Sequence, residues 1–208
     1  MNRKMILCFT LAVISLFSMV SCTIRLTNVW KNEDFRGDTP FKKIFVLVAL
    51  QDPVIKGLFE EEFVSQFIAY GTASAPSFEF FSHYLVTKEK ITSIIKALDA
   101  DTLLIVRLTK SEKDQTYFSG GEYVMPTWYH DWYLYYTRSF SDIDTPLYKD
   151  EGYLAIAETN IYDTKTEKLI WFARSQVTFI ACSCQEIIPF VKAIIDRLSS
   201  DHLLIVRH

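Results

Sequence analysis

Apolar positions in this chain fall into two kinds of run, and their spacing lays out an α/β protein. Lys42 to Leu50 (Lys-Lys-Ile-Phe-Val-Leu-Val-Ala-Leu) and Thr102 to Leu108 (Thr-Leu-Leu-Ile-Val-Arg-Leu) are nearly continuous, as expected of strands buried on both faces. Between them the period changes. Asp52-Pro53 supplies an N-cap and a proline at the first helical position, and Gly71 closes the segment. Inside it Leu58, Phe59, Phe63, Phe67 and Ile68 make a helical stripe. Glu60-Glu61-Glu62 spreads over a wide arc and forms no paired acid/base site, while Lys56 and Glu60, four apart, can pair along the helix. Thr72 to Phe81 reads as a second strand. Thr87 then caps a helix that carries Ile91, Ile94, Ile95 and Leu98 on one face.

Tyr153 to Tyr162 and Leu169 to Ala181 are strands joined by the polar loop Asp163 to Lys168, a hairpin. A last helix is expected from Ser183, with Glu186 completing a capping box, Pro189 in its early turns, and Ile188, Val191, Ile195 and Leu198 as its buried face. Thr23 to Trp30 is a short lead strand or linker, and Arg36-Gly37-Asp38 a turn. His202 to His208 adds a small strand or packs on the sheet. The expected fold is α/β: a single mixed sheet with three packing helices, in the order strand-helix-strand-helix-strand, then hairpin and C-terminal helix.

The chain's start changes the picture. Arg3 and Lys4 precede an apolar core from Met5 to Val20, and Ser21 stands at a break before Cys22. The core is shorter than the ~20 apolar residues of a membrane-spanning helix, which favours a secretory leader. Ser18-Met19-Val20-Ser21-Cys22 resembles the lipobox of bacterial lipoprotein precursors, in which the Cys thiol is acylated and becomes the first mature residue. That resemblance implies lipidation at Cys22, palmitate-type acyl chains and a cell-envelope address. With Thr23 rather than Asp next to the Cys, it further implies the outer membrane, on its periplasmic face. The expected division is residues 1–21 as signal peptide, 22–40 as lipidated N-terminus and lead strand, and 41–208 as one α/β domain with an aromatic insertion at about 111–150.

Removing 21 of the 208 residues leaves 187, enough for one sizeable core. Taking Arg3 and Lys4 from the 22 basic residues leaves 20 against 25 acids, and the longest basic groups are pairs such as Lys42-Lys43. Nucleic-acid binding, which needs a clustered basic face, is not expected. Cys182 and Cys184, one residue apart, lack the further ligands of a zinc site and the geometry for easy disulfide closure, so they read as small apolar residues. No metal or cofactor is expected.

Tyr117 to Phe140 is dense in aromatic residues, interrupted by Gly120-Gly121 and Pro126. A connection of this length inside a domain is usually functional or disordered, and disordered segments are poor in aromatics. Tyr and Trp combine contact area with a polar tip, so Tyr123, Trp128, Tyr129, Trp132, Tyr133, Tyr135 and Tyr136 are the candidate partner-binding residues, for a protein or a glycan. The competing reading is that these rings fold back over the sheet as a satellite core. His130 beside Asp131, with Asp142 and Asp144 following, invites an acid/base or metal role. No second His lies nearby in sequence, and Ser119-Gly120-Gly121 lacks the strand-Ser-helix frame of a hydrolase.

Several short pieces resemble a family of bacterial lipoproteins of unknown function. Their small α/β domain is related to the amino-terminal domain of the Tol-system propeller protein and to curli-secretion lipoproteins. The pieces are Val29-Trp30, Phe41 to Val48, Phe59-Glu60, Tyr70-Gly71-Thr72-Ala73, Asp101-Thr102-Leu103-Leu104, and Glu158-Thr159-Asn160-Ile161-Tyr162-Asp163 leading to Lys168-Leu169-Ile170-Trp171. Lys56 stands where members often carry Arg, and Glu167 where they carry Gly. The resemblance implies no activity. It leaves three functions in view: a membrane-anchored binding or accessory module, a subunit of a homo-oligomeric envelope assembly, and a hydrolase built on His130 and Asp131. The first is preferred, and enzymatic activity is not expected.

Overall fold

The structure is a computed structural model, and it describes residues 24–35, 40–83, 85–109, 125–141, 153–179 and 187–204. The leader with Cys22, Arg36 to Asp38, Tyr117 to Tyr123, Asp142, Asp144, Cys182, the Ser183–Glu186 capping box and His208 lie outside the described residues.

Six strands form one mixed sheet: β1 (Arg25–Lys31), β2 (Lys43–Ala49), β3 (Ala73–Pro76), β4 (Thr102–Thr109), β5 (Tyr153–Asp163) and β6 (Leu169–Phe179). Their spatial order is β1-β6-β5-β4-β2-β3. β2 runs parallel to β3 and β4, which the crossover helices require, while β4, β5, β6 and β1 are successively antiparallel. The residues Thr23 to Trp30, read as lead strand or linker, thus include an edge strand zipped to β6.

Two crossover helices, α1 (Pro53–Ala69) and α2 (Lys88–Leu98), are capped where expected. Asp52 Oδ1 accepts from Val54 N at 2.8 Å and Ile55 N at 3.0 Å, and Thr87 Oγ1 from Lys90 N at 3.4 Å. α1 ends at Gly71, whose φ of 85° is the left-handed conformation glycine tolerates. Phe59, Phe63 and Phe67 are buried as a stripe, but Ile68 is exposed and Leu58 only partly buried. The strand expected over Thr72 to Phe81 stops at Pro76, and a 3₁₀ turn over Ser77–Glu79 follows. Proline has no N–H for the ladder, so it sits at an edge and ends the strand.

The hairpin is as expected, and Glu167, where the resembled family carries Gly, holds a left-handed φ of 58°. The last helix, α4 (Ile187–Ser200), buries Val191, Ile195 and Leu198 together with Phe190 and Ile194, while Ile188 faces solvent. Pro189 falls in the first turn, where a missing N–H costs nothing. Among the described residues the tail adds no strand; Leu203 and Leu204 pack, and Leu203 O accepts from Phe41 N at 3.1 Å.

One helix was not expected. α3 (Trp132–Ser141) lies in the aromatic segment, preceded by a 3₁₀ turn over Thr127–His130, so among the described residues four helices cover the sheet rather than three. The period-2 alternation of the strands sorts the core into two layers. Ile44, Val46, Val48, Leu104 and Val106 meet α1 and α4 on one face. Phe45, Leu47, Leu103 and Ile105 meet α2 and α3 on the other. No described helix is long and apolar enough to cross a membrane.

Candidate functional site

The α3 face carries an unusual row of charges. Arg107 on β4 pairs in register with Glu158 on β5, which pairs in register with Arg174 on β6. Each occupies an alternate position on its strand, beside Ile105, Asn160 and Phe172, so all three side chains project from one face. All are buried. Glu158 Oε2 accepts from Arg107 Nε at 2.6 Å and from Tyr129 OH at 2.7 Å, and Arg107 Nη2 donates to Tyr129 OH at 3.2 Å. Arg174 Nε stands farther from Glu158 Oε1, at 3.7 Å. Among the described residues neither that oxygen nor Arg174 Nη2 makes a hydrogen bond.

The aromatic segment roofs this row. Asp131 starts α3 by accepting from Tyr133 N at 2.9 Å and Leu134 N at 3.0 Å, and one turn of helix then brings Tyr135 over the sheet. The Arg107 guanidinium lies 4.8 Å from the Trp128 ring centroid, 5.2 Å from Tyr135 and 5.6 Å from Tyr129, a desolvated cation among π faces. Arg138 approaches the Trp128 ring at 4.9 Å. Tyr162 OH donates to Tyr129 O and accepts from Asn160 Nδ2, each at 2.8 Å, fastening the roof to β5.

Burial works to lower the Arg107 pKa, but the Glu158 charge, the neighbouring Tyr135 and Tyr129, and the hydrogen bond to Glu158 outweigh it, so the guanidinium is held well above its ordinary range. Burial, reinforced by Glu158, pushes the Tyr135 phenol well above its usual value. Tyr136 and Tyr162 are raised as well, in each case chiefly by burial.

These positions correct the expectation of an exposed aromatic platform. Tyr129, Trp132, Tyr135 and Tyr136 are at most 4% exposed and form core with α2 and the sheet. Trp128 and Tyr133 are partly buried, and Tyr123 lies outside the described residues. The physical reason is the charge row: an ionised cluster on a strand face needs a polarizable cover, and Tyr and Trp supply rings and hydroxyls together. Asp131 spends its carboxylate capping α3, and His130 is exposed, with its ring edge-on to Trp30 at 6.3 Å. Among the described residues no three His, Cys, Asp or Glu side chains gather as a metal site.

A second buried ionic group lies at the carboxyl ends of β2 and β3. Lys56 Nζ sits 2.8 Å from Glu60 Oε1 and 2.5 Å from Ser77 Oγ. Glu60 Oε1 also accepts from Ser77 Oγ at 2.7 Å and Val48 N at 2.8 Å, and Oε2 from Phe78 N at 2.9 Å. A Ser beside a Lys has the composition of an activated nucleophile, but Ser77 has no exposed surface and Lys56 is ion-paired. The arrangement pins α1 to the 3₁₀ turn. Lys56 and Glu60 do pair four apart, though inside the protein rather than along its surface.

A half-open cleft of about 420 Å³ lies at the hairpin end of the sheet, between Thr92 and Lys96 of α2, Trp132, and Asp163 to Lys165. Sequence reading passed over the charges of Arg107, Glu158 and Arg174, and Ser77. The signal available was a lone charge inside an apolar strand, as in Leu-Ile-Val-Arg-Leu and Ala-Ile-Ala-Glu-Thr, which a buried strand tolerates only when paired.

No protein-family model matches the chain, and no curated protein is significantly similar to it. Solved structures similar to it include a dodecamer of a PelC point variant from Paraburkholderia phytofirmans, 13% identical over 89% of this chain and 99% of that one, with a TM-score of 0.43. A second PelC dodecamer from the same organism is 13% identical over the same shares, with a TM-score of 0.41. Lipoprotein GNA1162 from Neisseria meningitidis is 12% identical over 76% of this chain and 99% of that one, with a TM-score of 0.37. With every score under 0.5, these likenesses carry no functional argument.

Proposed function

We propose that this chain is a lipid-anchored module of the bacterial cell envelope that works by binding a protein or glycan partner rather than by catalysis. The observation that carries the reading is Cys22, placed behind a basic start, a short apolar core and Ser21. The two buried ionic groups support the binding half: both are closed inside the protein and fix elements, Glu158 holding the roof and Glu60 the 3₁₀ turn. The roof's outer side, with Tyr133 half-buried and His130, Leu134 and Arg138 exposed, offers mixed apolar and polar contact area. It replaces the buried rings as the candidate contact surface. The outer membrane is the proposed location, from Thr23 following Cys22.

Intact-mass measurement of detergent-extracted protein tests the anchor. We expect a species beginning at Cys22 with acyl mass, and release of Cys22→Ala from the membrane fraction. An unmodified Cys22 refutes the anchor. A photo-crosslinker at Tyr133 tests the surface: a dominant protein or glycan adduct supports it, and crosslinks confined to the protein's own chain refute it.

A second reading, a subunit of a homo-oligomeric assembly, is favoured by β1. Among the described residues this seven-residue edge strand has one side of its ladder unpaired. A monomeric mass in mild detergent would remove it.

A further inference from the structure

The sheet register fixes which end of the domain a lipid on Cys22 would hold. Ile24 already packs against the core layer beneath α1 and α4, and Thr23 is the single residue between it and Cys22. Two residue steps span at most about 7 Å, so the anchor leaves no room for the domain to turn over. Arg25, at the start of β1, pairs with Gln176 near the end of β6. Phe179 pairs with Tyr153, Ile156 with Thr109, Arg107 with Ala49, and Val46 with Pro76. The start of β1 is therefore at the same end of the sheet as the carboxyl ends of β2, β3 and β4. Because α1 follows β2 and α4 follows β6, both helices also begin at this end and run away from it.

That end is where apolar side chains are exposed. Val54, in the first turn of α1, is 68% exposed, and Ile188, in the first turn of α4, is 51% exposed. The two helices pack together, through Phe59 and Phe63 against Phe190, so these side chains share one rim. Phe78 and Phe80, just beyond β3, are also partly exposed and extend the rim toward the far edge of the sheet. Four of the seven large exposed hydrophobics among the described residues lie here, whereas Ile68 marks the opposite end of α1. Water gains nothing from solvating such side chains, and a headgroup and acyl boundary within tether reach removes that cost.

We infer that the domain lies on the bilayer with the helix-start rim, Val54 and Ile188 foremost, seated in the lipid headgroup zone. The hairpin cleft then points away from the membrane. This rests on the anchor reading above.

The test uses the full lipoprotein with Cys182→Ser and Cys184→Ser, carrying an environment-sensitive fluorophore at Val54→Cys, Ile188→Cys or Ile68→Cys in turn. Each protein is reconstituted in phosphatidylethanolamine–phosphatidylglycerol vesicles containing a doxyl-labelled lipid, and circular dichroism confirms its fold. All three sites are exposed, so the labels leave the core intact. We expect blue-shifted, quenched emission at positions 54 and 188 and unquenched emission at 68. Floating vesicles with unquenched 54 and 188, or with 68 quenched as strongly, overturn the orientation and leave the anchor standing. Protein that fails to float overturns the anchor and the orientation with it.

Discussion

Replacing Glu158 by Gln is the sharpest test of how the roof is held. The substitution keeps shape and one acceptor oxygen but removes the only acidic side chain in the Arg107–Glu158–Arg174 row, which is buried throughout. Two guanidiniums then share a low-dielectric layer without their common carboxylate, and Tyr129 OH loses a charged acceptor now at 2.7 Å. Breaking a buried pair by removing one partner costs about 3–5 kcal/mol, far more than the same change on a surface. At roughly 2–4 °C per kcal/mol for a domain of this size, the melting temperature should fall by about 6–20 °C. The assay is urea unfolding of the mature chain with Cys22→Ala, followed by Trp fluorescence and circular dichroism together to check two-state behaviour. Glu61→Gln, on the exposed side of α1, is the control and should stay within about 0.5 kcal/mol. Replacing Arg107 and Arg174 by Met and Glu158 by Leu together should recover much of the loss, because the penalty lies in the uncompensated charge. A loss below about 1 kcal/mol for Glu158→Gln would refute the argument that this carboxylate holds the row.

Three further outcomes are expected. Tyr129→Phe removes the hydroxyl that bridges Arg107 and Glu158 and should cost about 1.5–3 kcal/mol in the same urea assay, the value of a hydrogen bond to a charged group. Asp52→Ala leaves Val54 N and Ile55 N without their cap and should cost about 1 kcal/mol, while Asp52→Asn should cost little. Tyr135, Tyr136 and Tyr162 are held neutral by burial, above the ordinary phenol value of 10.0. The unfolded chain therefore gives up protons first, so stability is intact below that value and is lost as pH rises through and above it. Absorbance at 295 nm should show exposed tyrosines ionising first and these three ionising only with loss of the circular dichroism signal; ionisation of all tyrosines in one step while the fold persists would contradict it.

Much of the fold was legible because its signals are local. The Asp52-Pro53 and Thr87 starts, the Gly71 stop, the two apolar runs of β2 and β4 and the hairpin around Asp163 to Lys168 each depend on a few consecutive residues. α3 is hidden in the sequence because its rings are dense on every side, which masks helical periodicity, and because Asp131 beside His130 reads as chemistry and not as a cap. Glu60 was placed in an acidic run and not in the core, since nothing within that run marks which of three glutamates faces inward.

The residue order by itself determined the starts of α1 and α2, the stop at Gly71, and the strands β2, β4, β5 and β6, since capping, glycine conformation and the two periodicities act over a turn or a few residues. It also placed Cys22 two residues ahead of Ile24. Only the tertiary structure decided that Arg107, Glu158 and Arg174 form a row, that the aromatic segment closes over them, and that Val54 and Ile188 share a rim with the start of β1. Those outcomes depend on strand register and on which helices are neighbours. Both are set by pairing between residues distant in sequence, where burial decides the fate of a charge or a ring and local spacing carries no trace of it.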